Sequence, residues 1–346
     1  MTRVNVVIPC YNYGHFLREC VASVLDDQPE TDVRVLIIDD ASNDGSAAIA
    51  EDIATSDKRV EAVIHPINRG HIATYNEGLL EWADGDYCVL LDADDRLTPG
   101  ALRRAAEFLD AHPRVGFVYG HPLHFRHGTP LPTARTSVRG CSVWSGHWWL
   151  KRRFREANGC ITTPEVVVRT SVQHQAGGYD PRLPHTGDIE MWMRLATYAD
   201  VGYLRGSDQA YYRVHEQNMS KARDQLVNLR QRRLAYELLL ERRADTIPDA
   251  DELSATVHHK LAKDALRIAA RAYDRHRVGH TPVEDLEAFA RDCWPKTHRM
   301  PVYWGLQARK QIGPQAMPYL QPLVVSSIVH RARNWLWWQS WKRRGL

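Results

Sequence analysis

The sequence predicts an α/β protein with a mostly parallel central sheet, followed by a helical region. Short apolar runs rich in β-branched residues alternate with helical patterns, as expected for repeated βαβ units. No G-x-G-x-x-G follows the first run, and no G-x-x-x-x-G-K-[ST] occurs anywhere. These patterns mark dinucleotide-binding Rossmann domains and P-loop enzymes. We therefore expect a bound nucleotide to be held by acidic residues and a metal ion.

The first half of the chain carries the clearest strands and helices. The predicted strands are residues 4–9, 33–38, 60–64, 87–91 and 115–119. Helical patterns follow the first four strands, at residues 16–25, 46–53 and 71–83 and in a segment that opens at Thr98. Thr98 is the expected N-cap of that last helix, and Pro99 is its expected first residue.

The second half is less regular. Residues 122–159 mix His, Gly, Pro, Arg and Trp without periodicity, which predicts an irregular connection or a flap over a site. Order returns with a strand at 164–169, a short helix ending at 177–178, a helix at 187–196, and strands at 201–204 and 210–214. From residue 221 the helical patterns are dense in Arg, Leu and Ala. We therefore expect two parts, residues 1–220 and 221–346, with a boundary near Ser220.

Composition narrows the class of protein. The chain has 346 residues, 44% of them hydrophobic and 25% charged, which is ordinary for a soluble globular protein with a full core. Six scattered cysteines without a C-x-x-C pattern favour a reducing, cytoplasmic setting over a disulfide scaffold. We expect no signal peptide, because a strand begins near the first residue. We expect no membrane span, because no apolar run approaches the ~20 residues required.

The net charge of +3 hides an asymmetry. After the last acidic residue, Asp292, the chain carries nine Lys or Arg residues and six of its eleven Trp residues. Subtracting those nine charges leaves −6 for everything before Cys293. Such a basic, Trp-rich tail could lie on an anionic membrane surface, which would suit a lipid-linked acceptor. The alternative is a helical subdomain packed on the rest of the chain or on another subunit.

Three carboxylates follow the strand at 87–91. Asp92, Asp94 and Asp95 lie just past the carboxyl end of a buried strand, where open α/β sheets bind ligands. Like charges this close repel one another, so the cluster favours a cation such as Mg²⁺ or Mn²⁺ that also holds phosphate oxygens. The alternative is a turn in which the aspartates cap backbone groups. A second acidic pair, Asp39 and Asp40, ends the strand at 33–38.

Seven motifs together resemble, in their order along the chain, the family 2 glycosyltransferases, which are inverting, metal-dependent enzymes with a GT-A fold. The motifs are Val6-Val-Ile-Pro-Cys-Tyr-Asn12, Ile37-Ile-Asp-Asp-Ala-Ser-Asn-Asp-Gly-Ser46, Asn68-Arg-Gly70 with Ala73-x-x-Asn76-x-Gly78, Leu91-Asp-Ala-Asp-Asp95, Gly177-Gly-Tyr-Asp180, Gly187-Asp-Ile-Glu-Met-Trp-Met-Arg194 and Tyr212-Arg-Val-His-Glu-Gln-Asn-Met-Ser220. They cover about residues 3–220, and the C-terminal helices contribute none of them.

The resemblance implies a nucleotide site. In the family, residues at the Pro-x-Tyr of the first strand and the acid pair after the second strand hold the base and the ribose. The expected nucleotide-binding residues are Pro9, Tyr11, Asp39, Asp40, Asn68 and Asp92. We expect Asp40 to contact the base, because a carboxylate can accept the N3–H of uracil or thymine. The alternatives are that the acid pair only caps the following turn and that Tyr11 only packs.

The resemblance also implies a metal site. The D-x-D of the family falls on Asp92-Ala-Asp94, whose task is to neutralise the diphosphate leaving group. Asp94 is the expected direct ligand of a Mn²⁺ or Mg²⁺ cofactor, while Asp92 could instead contact the ribose or a bound water. His215 corresponds to a histidine that is a further metal ligand in some relatives. Its alternative is an ordinary hydrogen-bonded residue at a strand end.

The expected catalytic base is Asp188. An inverting transfer needs a carboxylate that accepts the proton of the acceptor hydroxyl as that oxygen attacks. The family places this carboxylate at the start of a helix, often within Glu-Asp, where this chain has Gly187-Asp188. Glu190 is the substitute candidate, and the alternative for Asp188 is an N-cap. Trp192 and Arg194 of the same helix are expected to be structural.

These features predict transfer of one or a few sugars from a UDP- or dTDP-linked donor to a hydroxyl of a separate acceptor. The acceptor class would be a carbohydrate, a lipid-linked molecule or a small molecule of cell-surface polysaccharide or glycoconjugate synthesis, with no nucleic-acid partner. Processive members carry Gln-x-x-Arg-Trp and membrane helices, which this sequence lacks. A catalytically silent sugar-nucleotide-binding protein is one alternative. A haloacid-dehalogenase-type phosphohydrolase is another, but its D-x-D normally follows the first strand. A homo-oligomer is also left open.

Overall fold

The computed structural model describes residues 2–159, 161–216, 218, 224–319, 332, 335–336, 338–341 and 343–346. The chain forms two compact units. The first, the α/β unit, comprises Met1–Leu150, Gly159–Lys221 and Arg343–Leu346, and the second, the helical unit, comprises Lys151–Asn158 and Ala222–Lys342. The boundary predicted near Ser220 lies outside the described residues and stays a prediction.

The α/β unit is built on one mixed sheet. Its described strands are β1 (Arg3–Cys10), β2 (Asp32–Asp39), β3 (Val60–Ile64), β4 (Tyr87–Leu90), β5 (Arg96–Leu97), β6 (Val115–Arg126), β7 (Gly140–Trp144), β8 (Val166–Arg169) and β9 (Asp200–Val214). They run in the order β3-β2-β1-β4-β8-β6-β9-β5, with β7 paired to β9. The first four strands of this order are parallel, as are β6 and β9, whereas β5, β7 and β8 pair antiparallel. The predicted α/β fold class is confirmed.

Helices connect most of these strands. They are α1 (Gly14–Leu25), α2 (Ser46–Ser56), α3 (His71–Asn76), α4 (Ala101–Ala111), α5 (Gly146–Glu156), α6 (Thr170–Ala176) and α7 (Gly187–Leu195). A π-helical stretch, Glu77–Trp82, continues α3. β1 lies between β2 and β4, so Val4, Val6 and Ile8 are completely buried and share one hydrophobic core with Val21 and Val24 of α1. This position explains why β1 is apolar on both faces, with Asn5 as a buried polar exception.

The structure corrects the expected start of the fourth helix. α4 begins at Ala101, and Gly100, in the left-handed region with φ 70°, occupies the N-cap position. The Thr98 hydroxyl donates to the Asp208 carbonyl instead, at 2.5 Å, and accepts a bond from the Arg104 guanidinium. Thr98 and Pro99 therefore precede the helix, because the Thr98 hydroxyl is hydrogen-bonded to Asp208 of β9.

Two further expectations about the second half were wrong, namely the irregular connection or flap at residues 122–159 and the two separate strands at 201–204 and 210–214. β6 continues to Arg126 because it pairs with β9 as far as Val214, and residues 122–159 also contain β7 and all of α5. The strands predicted at 201–204 and 210–214 are one strand, β9. The polar interval between them hid this continuity, since Asp208 is fully buried and accepts from the backbone N–H and guanidinium of Arg135.

The helical unit contains α8 (Gln225–Arg243), α9 (Ala250–Asp274), α10 (Val283–Cys293) and α11 (Pro301–Ile312), with the end of α5. α9 packs against the other three, and its buried residues Leu253, Val257 and Leu261 recur every four positions, as on one helix face. Within the described parts of the chain, no helix combines the length and hydropathy of a membrane span.

Candidate active site

The loops that carry the predicted site meet at one edge of the sheet. β1, β2, β3 and β4 are parallel, with Cys10 opposite Asp39 and Asp39 opposite Ile64, so their carboxyl ends lie side by side. The residues that directly follow these four strands are Tyr11, Asp40, His65 and Leu91, and Asp92 comes next after Leu91. This is the edge at which open α/β sheets bind ligands.

The loop after β1 leaves Tyr11 at the surface. Pro9 lies in β1 opposite Ile38, and Tyr11 is 48% exposed. The next residue, Asn12, has a positive φ of 60° and is tied to the loop after β2, because its N–H donates to Ser42 and its side-chain oxygen accepts from Asn43. The alternative of simple packing for Tyr11 does not fit this exposure.

Asp39 and Asp40 differ sharply in their surroundings. Asp39 is fully buried, with one carboxylate oxygen accepting from Ser42 N–H at 3.0 Å and the other, Oδ1, without a hydrogen-bond partner among the described residues. Asp40 accepts from the N–H groups of Arg69 and Gly70, and its Oδ1 lies 2.8 Å from His65 Nδ1. Burial alone would raise the pKa of Asp40, but these donors outweigh it and lower that pKa, so the carboxylate is ionised.

Asn68 holds the loop beside Asp40. Its side-chain nitrogen donates to the Asp40 carbonyl at 3.0 Å, and its side-chain oxygen accepts from Gly70 N–H at 3.1 Å. The amide therefore shapes the turn, and its expected nucleotide contact stays a prediction.

Three carboxylates follow β4 and lie close together. Oxygens of Asp92, Asp94 and Asp95 lie within 4.8 Å of one another. Burial, and then the Asp94 charge, raises the pKa of Asp92 to about 7, and the same causes raise the pKa of Asp95 well above its ordinary value. Tyr75 donates to Asp92 at 3.3 Å. A hard divalent cation would offset this crowded negative charge, and these oxygen donors fit Mg²⁺ or Mn²⁺.

β9 brings His215 to this cluster. Arg96, next to Asp95, pairs with Tyr211 in β9, and His215 follows the end of that strand. His215 Nε2 lies 2.8 Å from Asp94 Oδ2. The structure thus joins Asp92, Asp94 and His215 in one place, and an imidazole nitrogen is a suitable further ligand for Mn²⁺.

Arg213 fastens the acidic loop to β9, a role that sequence reasoning missed. Its backbone N–H donates to Asp95, and its side chain donates to the Asp94 carbonyl at 2.7 Å and to Glu19 at 2.9 Å. The guanidinium also lies over the ring of Phe16, 4.3 Å from its centre. The motif containing Tyr212-Arg213 was visible, but the partners of Arg213 are distant in sequence.

Asp188 lies in the first turn of α7 and is partly exposed. Burial is the main cause of the raised pKa values of Asp92 and Tyr179, and the Asp188 charge adds to both, so Asp188 lies near the acidic cluster. The N-cap position belongs to Thr186, so the alternative that Asp188 is the capping residue is wrong. A Cβ at Gly187 would lie 3.1 Å from the Tyr179 ring, so a larger side chain here would require that ring to shift slightly.

The rest of α7 is structural. Glu190 is completely buried and forms a two-point ion pair with Arg194, with both N–O distances 2.9 Å, so it is not available as the substitute base. Arg194 also donates to the carbonyls of Ala176 and Gly178, which ties the loop before α7 to the helix. Trp192 is buried, as expected.

A buried glutamate near Asp188 was also missed. Glu165, just before β8, accepts from the Thr162 N–H at 2.6 Å and from the Thr162 hydroxyl. Burial raises its pKa to about 8, the Thr162 donors lower it, and the Asp188 charge adds to the rise. Glu165 stands outside every recognised motif, so no sequence signal pointed to it.

Comparisons with known proteins indicate a family for part of the chain. Residues 5–171 match the family model described as Glycosyl transferase family 2. An uncharacterized glycosyltransferase of Haemophilus influenzae (strain ATCC 51907 / DSM 11121 / KW20 / Rd) is 35% identical over 109 residues, which are 32% of this chain and 43% of the relative. TuaG of Bacillus subtilis (strain 168), provisionally described as a teichuronic acid biosynthesis glycosyltransferase, is 33% identical over 128 residues, 37% of this chain and 50% of the relative. The aligned segments thus span half or less of these relatives.

The fold has solved counterparts. The crystal structure of S. aureus TarS 1-349 in complex with UDP-GlcNAc superposes with a TM-score of 0.60 over 86% of this chain and 91% of that chain, at 14% identity. At this identity the likeness concerns the fold. The family model thus assigns residues 5–171 to glycosyl transferase family 2, and the superposition shows that the chain has a GT-A fold.

Proposed function

We propose that this glycosyltransferase is an inverting, metal-assisted and non-processive enzyme that uses a nucleotide-diphosphate sugar. The observation that carries the proposal is the convergence of Asp92, Asp94 and His215 at the sheet edge that also bears Asp40, with Asp188 beside Asp92. Domain limits of 1–220 for the catalytic part and 221–346 for the helical part belong to the same proposal.

The donor would be a uridine or thymidine diphospho-sugar. Asp40 is an ionised carboxylate that can accept the N3–H of either base, with Pro9, Tyr11, Asp39 and Asn68 around the base and ribose. TarS was crystallised with UDP-GlcNAc, and the proposal extends a uridine donor to this chain.

The residues divide the chemistry between them. Asp188 accepts the proton of the acceptor hydroxyl while that oxygen bonds to the anomeric carbon opposite the leaving group. The bond from that carbon to the diphosphate oxygen breaks, and its electron pair leaves on the oxygen. When bound, a divalent cation supplies positive charge at the departing diphosphate. Asp94 and His215 would hold that cation, with Asp92 toward the ribose or a bound water.

The acceptor and the setting are further parts of the proposal. TuaG is provisionally described as a teichuronic acid enzyme, and we extend cell-surface polysaccharide or glycoconjugate synthesis, in the cytoplasm, to this chain. The acceptor would be a carbohydrate, a lipid-linked molecule or a small molecule.

The exposure of the Trp side chains in the basic tail is relevant to whether the protein contacts a membrane. Trp304, Trp335 and Trp338 are at least 46% exposed, whereas Trp341 is buried, and Trp337 lies outside the described residues. Packing within the chain accounts for the burial of Trp341, whereas the exposed indoles would suit peripheral contact with anionic lipid or packing on another subunit. Co-sedimentation with anionic and with neutral vesicles distinguishes lipid contact from packing on protein. Only lipid contact predicts that the protein sediments with the anionic vesicles and not with the neutral ones.

Thermal stability with UDP, GDP, dTDP and CDP, each with and without Mn²⁺, tests the proposal. We expect a Mn²⁺-dependent rise with UDP or dTDP, because ligand at about a hundred times its Kd adds about 2.7 kcal/mol of stability. The rise should vanish in Asp94→Ala. No shift with any nucleotide would contradict the proposal. Binding without slow donor hydrolysis would favour the catalytically silent alternative.

A further inference from the structure

We propose that His65 fixes Asp40 as a carboxylate that only accepts hydrogen bonds, so that the donor pocket selects bases with a ring N–H over cytosine. The inference rests on the proposed function, in which Asp40 contacts the base. His65 would be a positioning residue that acts through Asp40, and Glu77 would support it from the other side. None of the recognised motifs contains His65, and it stands outside the expected site residues.

The strand register explains why His65 reaches Asp40. β2 and β3 are parallel with Asp39 opposite Ile64, and His65 N–H donates to the Asp39 carbonyl at 2.9 Å. The residues that follow the two strands, Asp40 and His65, are therefore neighbours at the same edge. Both side chains are buried, with exposures of 4% and 5%.

The described donors occupy most of the acceptor capacity of Asp40. Its Oδ1 faces both His65 Nδ1 and the Arg69 N–H at 2.8 Å, and its Oδ2 accepts from the Gly70 N–H at 2.8 Å. Gly70 has φ 83°, a conformation suited to glycine, which lets the turn aim two successive N–H groups at one carboxylate. A carboxylate has about four lone-pair positions, so one position on Oδ2 remains for a ligand.

His65 has a carboxylate on each side. Its Nδ1 lies 2.8 Å from Asp40 Oδ1, and its Nε2 lies 3.1 Å from Glu77 Oε2. Arg69 also contacts Glu77, at 2.5 Å. With a proton on Nδ1, the ring donates to Asp40. This bond is one of the contacts that lower the pKa of Asp40 against the effect of burial, and it fixes the orientation of the carboxylate.

A fixed acceptor distinguishes the pyrimidine bases. Uracil presents a donor at ring position 3, which Asp40 can accept, whereas cytosine presents a lone pair there. Two acceptors facing each other repel, and a buried group left unpaired costs about 1–3 kcal/mol. Without His65, the orientation of the Asp40 carboxylate is less strictly fixed, and one of its oxygens could turn to accept from the exocyclic amine of cytosine. Loss of His65 should therefore reduce discrimination, beyond any effect on stability.

The experiment measures the affinities of UDP and CDP in the presence of Mn²⁺ by calorimetry, and its readout is their ratio. We expect the wild-type protein to bind UDP at least tenfold more tightly than CDP. In His65→Leu that ratio should fall about tenfold, and in Glu77→Gln, which preserves volume, it should fall about threefold. Glu77→Gln keeps the test valid should His65→Leu fail to fold.

His258→Leu is the matched control. His258 is a partly buried histidine of the helical unit whose Nε2 lies 3.2 Å from Glu237, so its loss removes a similar contact far along the chain. Its UDP-to-CDP ratio should stay that of the wild type. An unchanged ratio in both test variants, an equal fall in the control, or equal wild-type affinities for UDP and CDP would overturn the inference and leave the proposed function standing. Failure of the wild type to bind any nucleoside diphosphate would reject the proposed function itself, and the inference with it.

Discussion

Glu165→Gln should make the protein more stable in alkaline solution and change little in acid. The pKa of Glu165 is about 8, against an ordinary value of 4.5, mainly because the side chain is buried. A group whose pKa is raised by folding stabilises the folded state fully below its unfolded pKa, and this stabilisation is lost as the pH rises through the folded pKa. At about 1.4 kcal/mol per pKa unit, full ionisation costs about 5 kcal/mol.

Glutamine has nearly the same shape but cannot ionise, so the difference in unfolding free energy between variant and wild type isolates this one group. That difference should grow by about 3–4 kcal/mol between pH 5 and pH 8, in favour of the variant. Urea unfolding followed by circular dichroism at several pH values measures it. Glu51→Gln, at an exposed position of α2, is the matched control and should show a flat difference. A flat profile for Glu165→Gln as well would refute the assigned burial and the resulting pKa.

Three more substitutions probe the site. Asp188→Asn should lower kcat about 10²–10⁴-fold with nucleotide affinity unchanged, measured by product formation and by calorimetry, and full activity would remove its role as base. Arg213→Met should cost about 1–3 kcal/mol in urea unfolding, because it removes the buried guanidinium that donates to the Asp94 carbonyl and to Glu19, and should weaken Mn²⁺-dependent UDP binding. Arg104 is another buried arginine bonded to β9, and Arg104→Met should lower the free energy of unfolding by a similar amount without affecting UDP binding. If both variants lost UDP binding to the same extent, Arg213 would contribute to stability alone.

Much of the fold was predictable because β1 to β4 carry their signal locally. Each is a short run rich in apolar residues, and the acids that follow β2 and β4 mark the ligand edge directly. The acidic cluster was found in this way, whereas Asp188 was predicted from the resemblance of its motif to the family. The start of α4 was wrong because Thr98, a good capping residue by type, is bonded to Asp208 more than a hundred positions away. The continuity of β9 was missed because its polar middle is buried by partners such as Arg135.

Two of the residues that sequence reasoning missed share one physical property. His65 and Arg213 act through partners that only the strand register or the tertiary contacts bring near: His65 reaches Asp40 across two parallel strands, and Arg213 reaches Asp94 from the end of β9. A sequence motif identifies a residue that contacts a ligand, because the position of that residue in one loop is enough to place it at the site. The motif does not identify the neighbouring residue that determines the charge or the orientation of that side chain. Differences in donor choice among relatives with the same Asp-x-Asp pattern should therefore be sought in such neighbours, with the charge and orientation of Asp40 as the first case.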